Sequence, residues 1–140
     1  MENILIITGG SKGIGKGIVS AYLKKGTRIF SIARSADAEL TKHGVTQIEL
    51  DLTEIDKIEP ELLRIFSLMA PDKISKITLI NNAGTLGKIS TLEKLDASVI
   101  TKTINLNATV PFLCSAVFVA ATKDWKAKKS IINISSGAAL

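Results

Sequence analysis

Leu5–Gly17 reads LIITGGSKGIGKG, an apolar run that opens into a cluster of five glycines. Glycine weakens helix and strand interiors through backbone entropy, so such a cluster marks a sharp turn or a close approach to the backbone. With a strand before it and a helix after it, the loop would aim backbone N–H groups and a helix N-terminus at a phosphate. Two ligands compete for a loop of this kind, a nucleoside triphosphate and a dinucleotide. Against both stands a plain tight turn.

For the triphosphate, Gly10, Gly15 and Lys16 match the first part of G-x-x-x-x-G-K-[ST]. Gly17 then replaces the hydroxyl residue that should bind magnesium. No strongly acidic strand end offers a second ligand, and no metal site is expected. For the dinucleotide, Gly9-x-x-x-Gly13-x-Gly15 departs from G-x-G-x-x-G but can do the same work. Gly9 would turn the chain, Gly13 would admit the pyrophosphate, and Gly15 would let helix and strand pack closely.

Outward from the loop, β-branched apolar runs predict strands at 3–8, 28–33, 46–50, 76–81 and 130–135. Their nearly continuous hydrophobicity suits parallel strands covered on both faces. Helices are predicted near 14–25, 60–70 and 97–122, the second opening after Pro60 and ending near Pro71. The alternation indicates an α/β fold, a Rossmann-type doubly wound parallel sheet. An NAD-preferring site of this kind carries an acidic residue at the end of the second strand. Here that place reads SIARS, with Arg34 and Ser35. Arg34 would pair with a 2′-phosphate and Lys12 would add a second positive charge, so the cofactor expected is NADP(H).

Composition narrows the alternatives. The chain has 140 residues, 46% hydrophobic and 22% charged, within the size of one globular domain. The start Met1-Glu2-Asn3 lacks a secretory pattern, and no apolar run approaches the roughly 20 residues that span a bilayer. Cytoplasmic location without a membrane partner is expected. The one cysteine, Cys114, rules out an intramolecular disulfide and lies in apolar PFLCSAVF, as a buried inert thiol would. The one histidine, His43, sits in polar TKHGV and reads as a surface loop residue. Net charge is +5, but the lysines are scattered and aromatic residues make up 4% of the chain. That excludes a base-stacking nucleic-acid surface and leaves mild steering of an anionic small molecule.

TGGSKGIG (8–15), DLT (51–53), NNAG (81–84), LNATVPF and NISS (133–136) occur in this order along the chain. Together they resemble the short-chain dehydrogenase/reductase family. INNAGTLG (80–87), SIARS and NISSGAAL (133–140) particularly resemble its sepiapterin reductase and carbonyl reductase branch. The resemblance implies an NADPH-dependent reductase of a small carbonyl substrate, working as a homodimer or homotetramer. It implies that Ser11 and Ile14 join the glycine loop in holding the cofactor. Asp51 and Leu52 would meet the adenine, although Asp51 reads equally as a turn cap. Asn82, Ala83 and Gly84 would let the cofactor lie against the sheet.

Ser136 matches the active-site serine, with Ser135 as its neighbour. Asn107 matches the active-site asparagine, with Asn105 as the alternative register. Pro111, four residues on, has no N–H to return to the Asn107 carbonyl, which frees that oxygen for a water. The family's tyrosine and lysine lie beyond the active-site serine and are not reached by Leu140; the only tyrosine is Tyr22. Residues 1–140 are therefore expected to be one cofactor-binding domain without its carboxy-terminal portion, inactive alone and with uncovered apolar surface. The alternative is a non-catalytic NADP-binding or interaction module.

Overall fold

Side chains of a strand alternate between its two faces, and Ile4, Leu5, Ile6 and Ile7 are apolar at every position. A strand of this kind must be covered twice. In the computed structural model, which describes residues 1–136, it is. Ile4 and Ile6 join a core with Phe30, Ile32, Leu62 and Val117, whereas Leu5 and Ile7 pack with Val19, Ile29 and Leu40.

The elements run β1 (Glu2–Thr8), α1 (Gly13–Leu23), β2 (Arg28–Ala33), α2 (Ala38–Lys42), β3 (Thr46–Glu49), α3 (Ile58–Ser67) and β4 (Ile74–Asn81). They continue with α4 (Ala97–Ile104), a π turn (Asn105–Thr109), α5 (Val110–Thr122) and β5 (Lys128–Asn133). These five strands form one sheet in the order β3-β2-β1-β4-β5, and every pairing is parallel. The first core cluster gathers residues of α3 and α5 on one face; the second gathers residues of α1 and α2 on the other. Strand order reverses between β1 and β4. That is the switch point where doubly wound sheets open a crevice.

The structure adjusts several boundaries. Pro60 is the third residue of α3, within the first turn, where its missing N–H has no helical partner to lose. The short α2 was not expected; Asp37 caps it by accepting from the Glu39 and Leu40 amides at 2.9 and 3.2 Å. The strand expected at 130–135 ends at Asn133, so Ser135 and Ser136 lie beyond it.

The helix expected at 97–122 is interrupted: Val110 N–H bonds to the Asn105 carbonyl, five residues back, beside Pro111. Taken as one helix, 97–122 is also long and apolar enough to cross a membrane, with a mean hydropathy of 1.7 over its most apolar 18 residues. This corrects the expectation that no apolar run approaches that length. The composition has a visible cause on one face only, where Val110, Cys114, Val117 and Phe118 are buried in the core. Phe112 and Val119 stand exposed on α5, as do Ile131 and Ile132 on β5.

Candidate active site

The turn after β1 is held from two sides, by β2 and by the segment after β4. Gly9 N–H donates to the Ile32 carbonyl of β2 at 2.8 Å. Asn82 Nδ2 donates to the Gly9 carbonyl at 3.0 Å. Buried Thr8 Oγ1 accepts from the Asn82 and Ala83 amides at 3.1 and 3.0 Å. The glycines themselves divide by role. Gly9 and Gly13 have φ of +70° and +53°, the region that side chains disfavour. A Cβ on Gly15 would overlap the Gly9 carbonyl oxygen, whereas one on Gly17 would meet nothing within 4 Å.

Helix α1 begins at Gly13, its N-cap Lys12 makes no side-chain cap, and its first turn carries no acidic residue. Helices α2 and α4, by contrast, are capped by Asp37 and Asp96. The amino end of α1 thus has neither a side-chain cap nor an acidic residue to compete with an anion for its positive dipole.

A cleft of about 800 Å³ opens there. Gly9, Ser11 and Lys12 line it from the glycine turn, Arg34 and Ser35 from the end of β2, and Asp51 and Leu52 from the segment after β3. A second cleft of about 960 Å³ is lined by Ile14, Asn82, Asn107, Ser135 and Ser136. Ala83, Gly84 and Thr85 border both, which makes them adjoining parts of one trough along the strand ends. Of the residues singled out in the sequence, Gly13 and Gly15 line neither cleft; Gly15 is buried below the turn.

Asn107 is placed by its side chain. Its Oδ1 accepts from Thr85 N–H at 2.8 Å and its Nδ2 donates to the Thr85 carbonyl at 2.7 Å. The amide thereby ties the helical break to the loop after β4. Asn105 instead accepts from Thr109 Oγ1 at 3.1 Å and lines neither cleft. Asn81 donates to Asn133 Oδ1 at 2.8 Å and to Ser115 Oγ at 3.2 Å, joining β4, β5 and α5 below the second cleft.

Neither Lys12 nor Arg34 forms an ion pair among the described residues. Lys16 is engaged elsewhere, with Asp37 at 2.8 Å and Glu39 at 3.5 Å. Asp51 Oδ1 accepts from Thr53 Oγ1 at 2.7 Å and Thr53 N–H at 3.0 Å, the turn cap that its sequence allowed. These bonds, with Arg34 and Lys102 nearby, hold the Asp51 carboxyl below its ordinary range. Burial drives the Cys114 thiol up to about 11, which suits an inert residue. His43 is exposed at the end of α2, and among the described residues no cluster of metal-ligating side chains occurs.

Sequence reasoning missed the wall supplied by α4 and the π turn, where Val99, Lys102, Thr103 and Leu106 face the first cleft. Their spacing of three and four residues was the available signal. It was absorbed into the apolar pattern of a long helix.

The model of the family described as short chain dehydrogenase matches residues 3–140. The chain is 36% identical over 140 residues to benzil reductase ((S)-benzoin forming) of Bacillus cereus, covering 96% of this chain and 56% of that protein. A short-chain dehydrogenase/reductase from Burkholderia vietnamiensis superposes with a TM-score of 0.89 at 26% identity, over 99% of this chain and 65% of the other. A metagenomic short-chain oxidoreductase solved in complex with NADP gives 0.83 at 25% identity, over 99% and 63%. The chain spans about half the length of the curated relatives it matches. The match in sequence runs through the same residues that build the glycine turn, the switch point and the trough, and the chain belongs to the short-chain dehydrogenase/reductase family.

Proposed function

We propose that the protein is the nucleotide-binding part of an NADPH-dependent carbonyl reductase. One observation carries the cofactor choice: Arg34 and Lys12 line the same cleft with no ion-pair partner among the described residues. Asp37, an acidic competitor close by in the chain, has both carboxylate oxygens engaged by Lys16 and by the α2 amides. The cradle fits a dinucleotide on three counts: open amides at the start of α1, a small-residue floor at Ala83 and Gly84, and an apolar wall at Leu52. Ser11 and Ile14 would hold the pyrophosphate, Asp51 and Leu52 the adenine, and Arg34, Ser35 and Lys12 the 2′-phosphate.

When bound, the cofactor supplies a hydride. Ser136 would donate a hydrogen bond to the substrate carbonyl oxygen and orient it in the second cleft. Asn107 would hold a water on its main-chain carbonyl, beside the break at Pro111. The relatives named benzil reductase favour an aromatic diketone as substrate; a sepiapterin-like dicarbonyl belongs to the same chemical class. The exposed apolar positions on α4 and α5 support association into a homodimer or homotetramer.

A non-catalytic NADP-binding module is the second reading; it uses the same cleft, lined by Arg34 and Lys12. Titration with NADPH and NADH, followed by an assay on benzil, tests both readings. Tighter binding of NADPH is expected, roughly tenfold or more for charge-assisted phosphate contacts. Turnover is expected only from a polypeptide that also carries the tyrosine and lysine. Equal affinity for the two nucleotides would remove the cofactor assignment, and turnover by residues 1–140 would remove the need for that tyrosine.

A further inference from the structure

Gln47, on β3, lies outside both clefts, yet its amide grips the backbone next to the proposed phosphate site. Its Oε1 accepts from Asp37 N–H at 2.8 Å, and its Nε2 donates to the Asp37 carbonyl at 2.6 Å and to Thr41 Oγ1 at 2.7 Å. One side chain thus bonds both main-chain polar groups of Asp37, whose carbonyl also accepts from Thr41 N–H of α2 at 3.2 Å. Gln47 itself is fixed in the sheet, in register with Ser31 of β2. The Asp37 carboxylate is used as well: Oδ1 by the α2 amides, Oδ2 by Lys16 at 2.8 Å.

At the other end, the Ala33 carbonyl accepts from Leu50 N–H at 2.9 Å. Between these anchors lie only Arg34, Ser35 and Ala36, all exposed. The two residues that reach the cleft therefore hang on a three-residue bridge with both abutments bonded to β3 or its extension.

We propose that Gln47 is a positioning residue for nucleotide selection, clamping Asp37 so that the Arg34–Ser35 bridge is ordered before a 2′-phosphate arrives. The proposal rests on the NADP reading above. Ordering a loop on binding costs affinity, and a loop already ordered avoids that cost. The glycine turn and the Leu52 wall stand on other elements, so loosening the bridge weakens recognition of the 2′-phosphate and spares the rest of the nucleotide. The side chain acts through backbone it holds, without touching the ligand.

Adenosine 2′,5′-diphosphate and adenosine 5′-diphosphate isolate that increment. Their dissociation constants are measured by calorimetry for the intact protein and for Gln47→Ala and Gln47→Met, the second keeping the bulk while losing the bonds. Both variants are expected to lose about tenfold in affinity for the 2′,5′-diphosphate, the size of one or two lost hydrogen bonds. Affinity for the 5′-diphosphate is expected to stay within about twofold, which also reports an intact fold. An unchanged ratio in both variants, with the unmodified protein preferring the 2′,5′-diphosphate, overturns the role of Gln47 alone. Equal loss of both ligands overturns it too, by reducing Gln47 to a structural residue. No preference in the unmodified protein strikes the NADP reading first and the clamp with it.

Discussion

β1 and β5 are written in the same alphabet and occupy opposite environments. Each is a short parallel strand with isoleucines near its centre, and each leads into a turn that borders the trough. Ile6 of β1 is fully buried, with strands on both edges and helices over both faces. Ile132 of β5 is 40% exposed, and among the described residues β5 pairs only with β4. The segments that leave the two strands differ accordingly. The Gly9 turn is bonded to β2 and to the segment after β4, whereas the segment after β5 is bonded to β4 through Ile134 N–H and presents Ser135 and Ser136 to solvent. The glycine-turn end of the trough is built on a closed core; the end at Ser135 and Ser136 rests on a strand that stays partly exposed among the described residues.

Truncating the two strands breaks or confirms that contrast most directly. Ile6→Ala removes methyl groups from a fully buried site and is expected to cost about 2–5 kcal/mol in urea unfolding. Ile132→Ala should cost about 1 kcal/mol or less, because those atoms already meet solvent. Similar losses at the two positions would mean that β5 is covered in solution.

The glycine turn gives a second comparison, between residues two apart. Gly15→Ala forces a methyl into the Gly9 carbonyl and to within 2.6 Å of Asn82 Nδ2. Overpacking against backbone is expected to cost about 1–3 kcal/mol, with weaker nucleotide binding because the turn must shift. Retention of both stability and binding would show that the turn adapts more freely than its bonds suggest.

Gly17→Ala sits on α1 with open space where its Cβ would project. This substitution should stabilise the protein by roughly 0.4–1 kcal/mol, by restricting the unfolded chain and favouring the helix. A thermal melt compares it directly with Gly15→Ala. Opposite signs are expected from the same chemical change.

Much of the fold was legible because the signals were local. Continuous apolar runs identified the five strands, and β-α alternation led to a parallel doubly wound sheet. The short helix α2 is not legible from periodicity, since five residues carry too little of it; its capping residue Asp37 is the one local cue. The break at Pro111 was visible as a missing donor, but the π turn that accommodates it was not. Lys102 carries no legible signal, because a lysine on an apolar helix looks like a solvated face until the helix is laid against a cleft.

By itself the sequence determined the order of strands and helices, the place of the glycine turn, and the positive character of the segment after β2. Those depend on backbone preferences and charge, which travel with each residue. Only the tertiary structure decided that Asn107 grips the Thr85 peptide, that Asp37 is spent on Lys16 and α2, and that Gln47 clamps the bridge carrying Arg34. Each of these joins residues from different elements. A hydrogen bond needs its partners within about 3 Å, and that distance is set by how the layers pack rather than by any local pattern.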